Sequence, residues 1–391
     1  MNNTHKFKIL LVDDTTENID ILNSALSEYS RLIALNGEKA IEIATNKQPD
    51  LILLDIVMPG IDGYETCRIL KSQQETKHIP IIFITSKTDT DSIVKGFNTG
   101  AIDYVTKPFN ISELKSRVST QLALKKSYDD INKYLKEIES KNRLITDSIN
   151  YAKRLQFASL PNKDYLDKIL NNYFILFMPK DIVSGDFYWI KEVNDKIVII
   201  IADCTGHGVP GAFMSMFGTA FLNEIVNRDN ISNPATILNK LRDMIIKSLN
   251  QDSKDEVQDG MDVSIISIDK KNNTMEFAGA KNHIYLVRDN NATKIKADSM
   301  PVSLYPKMTP FNNNKIDIKK EDTIYMFSDG YSDQFGGEKN KKIGNKRFVE
   351  LMTNNTNNDM NKQKDIFINF LNEWKKEEEQ VDDIILFGIK I

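Results

Sequence analysis

Residues 51–65, LILLDIVMPGIDGYE, carry the stretch that decides the fold of the first third of the chain. Leu51–Leu54 is an unbroken apolar run of strand length, and Asp55 follows it directly. A strand without polar alternation is buried on both faces, as in a parallel sheet covered by helices. Working outward, Lys8–Val12, Arg31–Ala34, Ile79–Ile84 and Asp103–Val105 read as four more strands. Helical patterns near Asn18–Tyr29, Glu38–Asn46, Tyr64–Ser72, Ser92–Asn98 and Ile111–Leu124 alternate with them. The alternation predicts a doubly wound, five-stranded α/β domain over residues 1–124. Its site belongs at the carboxyl ends of the strands.

Three carboxylates fall at that edge. Asp13 and Asp14 follow the first strand, and Asp55 follows the third. Like charges brought together are costly unless a cation or shared protons neutralise them. An all-oxygen set of this kind suits a hard divalent ion, Mg²⁺ by preference. Thr85 at the end of the fourth strand and Lys107 at the end of the fifth add a hydroxyl and a cation. Together these groups have the chemistry to accept and hold a phosphoryl group. The segments LLVDD (10–14), LILLDIVMPGIDGYE (51–65), PIIFITSKTD (80–89) and GAIDYVTKPF (100–109) resemble the response-regulator receiver family over residues 7–124. The resemblance implies that Asp55 is the phosphoacceptor. It also implies that Asp13, Asp14 and Asp55 hold Mg²⁺ with the Val57 carbonyl, that Thr85 and Lys107 sense the phosphate, and that Tyr104 is the aromatic switch. It further implies a cis Lys107–Pro108 bond.

From Leu124 to Ser159 there is neither proline nor glycine, and charges are dense. Leu124, Ile131, Ile138 and Ile145 fall at heptad position d, with Tyr128, Leu135, Asn142 and Ile149 at a. The pattern predicts a helical coiled-coil linker over 125–165 and a parallel homodimer, with Asn142 fixing register. The competing reading is a single helix lying along a domain face. Pro161 ends the segment.

Residues 166–391 read as an α+β domain. Strands are expected at Phe174–Met178, Lys196–Ala202, Val263–Ile268, Thr274–Ala278, Ile284–Arg288, Thr323–Phe327 and Ile384–Ile389. Helices are expected at Gly211–Asn227, Pro234–Leu249 and Lys362–Glu379, and polar loops at Asn312–Lys315 and Asn354–Asn361. Asp186 in VSGDFYWI, Asp203 in ADCTGHGVPGAF, Asp329 in YMFSDGYSDQFGG, and Asp382 and Asp383 before IILFGIKI all lie near strand ends. Nearby glycines allow close approach of backbone to a ligand. Acids without a Cys/His quartet favour Mg²⁺ or Mn²⁺ over structural zinc. Two such ions can activate a water and clamp a phosphoryl group without a protein nucleophile.

The order GD, D-x-T-G-H-G, SDG and DD resembles the bacterial type-2C metal-dependent phosphatases, in their sporulation and stress-response branch. The helical entry Tyr151–Pro161, YAKRLQ…LP, belongs to the same likeness. An α-β-β-α sandwich over 166–391 is thereby implied. So is a pair of Mn²⁺ or Mg²⁺ ions on Asp186, Asp203, Asp329 and Asp382, aided by the Cys204 carbonyl. Asp383 is the second candidate beside Asp382. By the same likeness His207 organises its loop. Asp262 and His283 also sit beside strands, and both read as structural.

Composition narrows the classes. With 51 basic and 55 acidic residues the net charge is −4, which leaves no basic excess for nucleic acid. Two cysteines, Cys67 and Cys204, provide no disulfide framework and fit a reducing compartment. No secretory leader and no run long enough to span a bilayer are read, so the expected location is cytoplasmic. A cysteine phosphatase needs C-x5-R, but Pro210 and Gln73 stand where the arginine would be. FGGEKN (335–340) lacks the residues that would make it a diguanylate cyclase signature, and no P-loop is present. The expected protein is a two-component response regulator. A histidine kinase would phosphorylate it, and it would remove phosphate from serine or threonine on a protein, by resemblance an anti-sigma-factor antagonist in a partner-switching circuit. The alternative is a non-catalytic adaptor, which loss of metal ligands would betray.

Overall fold

The computed structural model describes residues 6–86, 90–249 and 259–391. The chain parts into two compact units, Met1–Asn142 and Arg143–Ile391.

In the first unit the strands are β1 (Lys8–Val12), β2 (Ser30–Ala34), β3 (Leu51–Asp55), β4 (Ile81–Thr85) and β5 (Asp103–Thr106). They form one sheet in the order β2-β1-β3-β4-β5, with every pairing parallel. The unbroken apolar runs explain this directly. Leu10 and Val12 of β1 and Ile52 and Leu54 of β3 enter the core on one face. Ile9, Leu11, Leu51 and Leu53 enter the core on the other. Helices α1 (Thr16–Ala25), α2 (Gly37–Lys47), α3 (Gly63–Ser72) and α4 (Thr90–Asn98) connect the strands. The strand order reverses between β1 and β3, and the carboxyl ends there form the usual ligand crevice of such sheets.

Helix α5 runs from Ile111 to Ser159 without a break. Leu114, Val118 and Leu122, spaced by four, are fully or almost fully buried on the sheet. Each contributes about 1.5–3 kcal/mol by leaving water. Beyond them the apolar residues turn outward. Leu124, Tyr128, Ile131, Leu135, Ile138 and Ile145 are each more than half exposed. A helix then continues past the residues its own unit buries. After Leu160 and Pro161 comes the short α6 (Lys163–Ile169).

The second unit is an α-β-β-α sandwich. One sheet has the order β13-β10-β9-β8-β7 and the other β12-β11-β14-β17-β6. The first contains β7 (Phe187–Val193), β8 (Lys196–Cys204), β9 (Met261–Asp269), β10 (Thr274–Ala280) and β13 (Asn314–Asp317). The second contains β6 (Asn172–Met178), β11 (Ile284–Arg288), β12 (Asn291–Ile295), β14 (Thr323–Phe327) and β17 (Ile384–Lys390). Period-two alternation sorts the layers. Ile197, Ile199 and Ile201 of β8 meet Ile385 and Phe387 of β17 between the sheets. Val198, Ile200 and Ala202 face α7 (Gly208–Leu222) and α8 (Pro234–Ser248). Ile384 and Leu386 face α10 (Gly344–Asn355) and α11 (Met360–Lys375) on the far side. The four-residue α9 (Gly330–Asp333) and the short strands β15 (Phe335–Gly336) and β16 (Lys341–Lys342) complete the unit.

Three expectations change. Asn312–Lys315 is not all loop, because Asn314–Asp317 pairs with β10 as an edge strand. Within Asn354–Asn361, the ends of α10 and α11 take up half of the expected loop. Finally, Gly208–Arg228 (α7 and the π-helical turn after it) is a 21-residue helical stretch long and apolar enough to cross a membrane. Its Met214, Leu222, Ile225 and Val226 pack into the sheet core, which is what the apolar composition serves here.

Candidate functional site

The first unit brings its acids to the β1/β3 crevice. One carboxylate oxygen from each of Asp13, Asp14 and Asp55 lies within 4.8 Å of the other two, the only such trio among the described residues. Asp13 is fully buried and Asp55 nearly so, while Asp14 is exposed. The Lys107 amine donates to Asp13 Oδ2 at 2.7 Å and to Asp55 Oδ2 at 2.8 Å. Asn18 Nδ2 and the Thr15 amide, both at 3.0 Å, donate to Asp13 Oδ1. Burial raises the Asp55 carboxyl, and the Lys107 hydrogen bond and charge oppose that rise. Burial works against the Lys107 charge, but its bonds to Asp13 and Asp55 outweigh burial and hold the ammonium above its ordinary value. The Val57 amide lies 3.5 Å from Asp55 Oδ1.

Thr85 closes β4 and lines a small cavity with Phe97 and Tyr104. The Tyr104 ring packs edge-on against Phe97, with the Arg117 guanidinium over its face. The Lys107–Pro108 bond is cis. Asn18 is the site residue that sequence reading passed over; its position five residues after Asp13 on the first turn of α1 was the available signal.

In the second unit the site is assembled from four loops. A methyl group added at Gly185 would sit 2.5 Å from the Gly206 carbonyl. Only glycine lets the Asp186 loop lie against the loop after β8. At Gly330 the same addition would fall 2.1 Å from the Asp383 carbonyl, so Asp329 is carried up to the start of β17. Asp203 lies one residue inside β8, directly opposite Asp262 of β9.

These acids repel one another. Asp186 is buried, its Oδ2 has no hydrogen-bond partner, and its carboxyl is pushed well up by burial and by the Asp203, Asp383 and Asp382 charges. Burial, with Asp329, Asp382 and Asp262 nearby, pushes Asp203 to about 8. Asp329 is raised by loss of hydration and by Asp333 and Asp382. An orphaned buried carboxylate oxygen amid three neighbouring acids fits divalent cations bound by oxygen. Among the described residues the ion pairs stop at the rim, at Lys281–Asp262 (3.8 Å) and Lys342–Asp333 (2.6 Å).

Asp382 and Asp383 are used differently. Both Asp383 oxygens are taken, one by the Lys180 amide and the other by the Gly185 amide, each at 2.7 Å. Asp382 is partly exposed and acts on Asp186, Asp203 and Asp329. The Cys204 thiol sits in the core under α7 and is pushed well up by burial, so it is no nucleophile. His207 Nδ1 meets Asp181 at 2.6 Å and its Nε2 meets the Lys180 amine at 3.1 Å, at the exposed edge. Asp262 and His283, read as structural from sequence, line a cavity together with Asp203 and Asp329.

Sequence reading also passed over the role of Gln156. Its side chain donates to the Ser184 carbonyl (2.6 Å) and Ser215 Oγ (2.7 Å), and accepts from the Ser184 amide (3.1 Å). It thereby ties the end of α5 to the Asp186 loop. In the YAKRLQ segment Gln156 alone is buried, behind five exposed residues.

A family model described as Stage II sporulation protein E (SpoIIE) matches residues 194–391, half of the chain. The chain belongs to the SpoIIE family. A response regulator receiver domain model matches residues 9–119 ahead of the SpoIIE match. The solved SiaA PP2C domain of Pseudomonas aeruginosa superposes with a TM-score of 0.60 at 29% identity, over 64% of this chain and 98% of that one. A probable cyclic di-GMP phosphodiesterase of Vibrio cholerae is 44% identical over 130 residues, 33% of this chain and 30% of that protein. The response regulator PleD of Caulobacter vibrioides is 36% identical over 126 residues, 32% of this chain and 28% of that protein. The chain therefore spans less than a third of the length of these two curated relatives. The SpoIIE match contains Asp203, Asp329 and Asp382, and the receiver match contains Asp13, Asp14, Asp55, Thr85 and Lys107.

Proposed function

We propose that this chain is a two-component response regulator whose output is metal-dependent dephosphorylation of phosphoserine or phosphothreonine on a protein. The unpartnered Asp186 oxygen, with Asp203 and Asp382 acting on it and Asp329 acting on Asp203, carries the reading. Family membership and the preceding receiver support it. Loss of ligands would have favoured a binding adaptor, and all four aspartates are in place. When bound, divalent cations supply charge neutralisation for phosphoryl oxygens and a more acidic water. Asp186, Asp203, Asp329 and Asp382, with the Cys204 carbonyl, hold two Mn²⁺ or Mg²⁺ ions. Asp383 fixes the loop between Lys180 and Gly185 instead of acting as a ligand.

In the receiver, Asp55 accepts the phosphoryl group from a histidine kinase. Asp13, Asp14, Asp55 and the Val57 carbonyl hold Mg²⁺, Lys107 pairs with the new charge, and Thr85 and Tyr104 read it out. Residues 1–124 form the receiver, 125–165 the helical linker and 166–391 the phosphatase. The outward stripe from Leu124 to Ile145 supports a parallel homodimer through the linker. The chain works in the cytoplasm, on a substrate of the anti-sigma-factor antagonist class.

The test is Mn²⁺-dependent phosphate release from a phosphorylated antagonist, with and without a phosphoryl mimic on Asp55. Asp203→Ala is expected to lose about 10³-fold or more in turnover. Wild-type turnover in that variant, or turnover unaffected by chelation, sinks the catalytic reading. A monomer by light scattering at high concentration removes the dimer.

A further inference from the structure

The turn between β10 and β11 holds a lysine in a backbone conformation that lysine seldom adopts. Lys281 lies in the left-handed region, with φ of 53°. Such a residue persists where its surroundings fix it, and it is found at functional sites more often than elsewhere. Here the fixing is visible. The Lys281 amide donates to the Asp298 carbonyl at 2.7 Å, and Asn282 Nδ2 donates to the Phe327 carbonyl at 2.7 Å. The second bond fastens the turn to the end of β14, two residues before Asp329.

The side chain lines a cavity of about 260 Å³ shared with Asp203, Asp262, His283, Asp329 and Asn345. Its ionic partner is Asp262, at 3.8 Å, and both side chains are more than a third exposed. That contact is too long for a good hydrogen bond, and an exposed pair of this kind adds little stability. The neighbouring Lys342 is held by Asp333 at 2.6 Å. His283, wedged edge-on against Tyr285 and Phe327, leaves Nε2 buried without a partner on the same wall. The cavity thus holds an under-used ammonium and a vacant imidazole nitrogen beside carboxylates that would otherwise repel an anion.

We propose that Lys281 is the phosphoryl anchor of this cavity: it leaves Asp262 and donates to a non-bridging oxygen of a phosphomonoester substrate. The proposal rests on the phosphatase reading but is tested apart from turnover. No bond is made or broken; one ion pair is exchanged for a shorter, charge-assisted one. Asp262 then serves to hold the lysine ready when no substrate is present.

The experiment titrates inorganic phosphate into the full chain in Mg²⁺ by calorimetry. Lys281→Asn removes the charge while suiting the left-handed backbone, Lys281→Arg keeps the charge, and Lys271→Ala, far out on the surface in a pair with Asp195, is the control. Lys281→Asn is expected to weaken phosphate binding by about 10- to 100-fold. Lys281→Arg should stay within about threefold of wild type, and the control should be unchanged. Wild-type affinity in Lys281→Asn, or no phosphate binding by the wild-type chain, overturns the proposal. So does an equal loss of Mn²⁺ affinity in Lys281→Asn, which would place the effect on the aspartates. Failure of the phosphatase reading shows separately, as wild-type turnover in Asp203→Ala.

Discussion

The receiver gathers its acids around a lysine of its own: Asp13 and Asp55 lie 2.7 and 2.8 Å from the Lys107 amine. In the second unit Asp186 is as deeply buried, yet its Oδ2 meets no donor, and Asp203 beside it is pushed up to about 8. Both sites concentrate carboxylates at strand ends, and they differ in who supplies the positive charge. The receiver carries part of its compensation covalently, one ammonium against three carboxylates, and on the proposed reading a bound cation supplies the rest. On the proposed reading the sandwich draws its compensation from ions in solution. A site of the first kind stays organised between signals, whereas a site of the second kind depends on what is bound.

The largest expected effect of breaking this contrast is at Lys107. Lys107→Ala strips two buried carboxylates of their cation and should destabilise the receiver by about 3 kcal/mol without Mg²⁺. Added Mg²⁺ should recover part of the loss in a thermal melt. A change below about 1 kcal/mol would mean that Asn18 and the Thr15 amide already suffice.

Next in size is Gln156. Gln156→Ala leaves the Ser184 amide and carbonyl and the Ser215 hydroxyl without that partner, at a cost of about 1–3 kcal/mol. The Asp186 loop loses its tie, so turnover should fall more than metal affinity. A stability loss with wild-type turnover would show that the tie holds fold alone.

The smallest effect is a pH dependence at His283. Burial, and then the Lys294 charge, holds its imidazole down to about 4. The unfolded chain takes up this proton near pH 6.5, so the folded state gains stability above that pH and loses it as pH falls from about 6.5 to 4. Allowing for partial exposure, the loss is on the order of 1 kcal/mol. His283→Gln should flatten that part of the stability profile. An unchanged slope would assign it to other groups.

Most of the receiver fold was legible because its strands are apolar without interruption, and the candidate site residues stand at their ends. In the sandwich, β12 (NATKI) and β13 (NKID) escaped notice, since edge strands half in water carry no apolar rhythm. Helix α10 buries little beyond Phe348 and Met352, too sparse a stripe to read as a period. Asp382 and Asp383 could not be told apart along the chain. Their difference lies in two amide groups about 200 positions away. The opposition of Asp203 to Asp262 likewise depends on strand register, which composition does not encode.

Gln156 also sets where the polypeptide can be divided. A fragment beginning at Arg143, the edge of the second compact unit, retains the three bonds that shape the Asp186 loop. One beginning at Pro161 would keep the four site aspartates yet lose those three bonds, leaving the loop to Asp383 alone among side chains of the proposed site. A weak preparation of the shorter piece would then report on a missing glutamine, and the aspartates would be wrongly blamed.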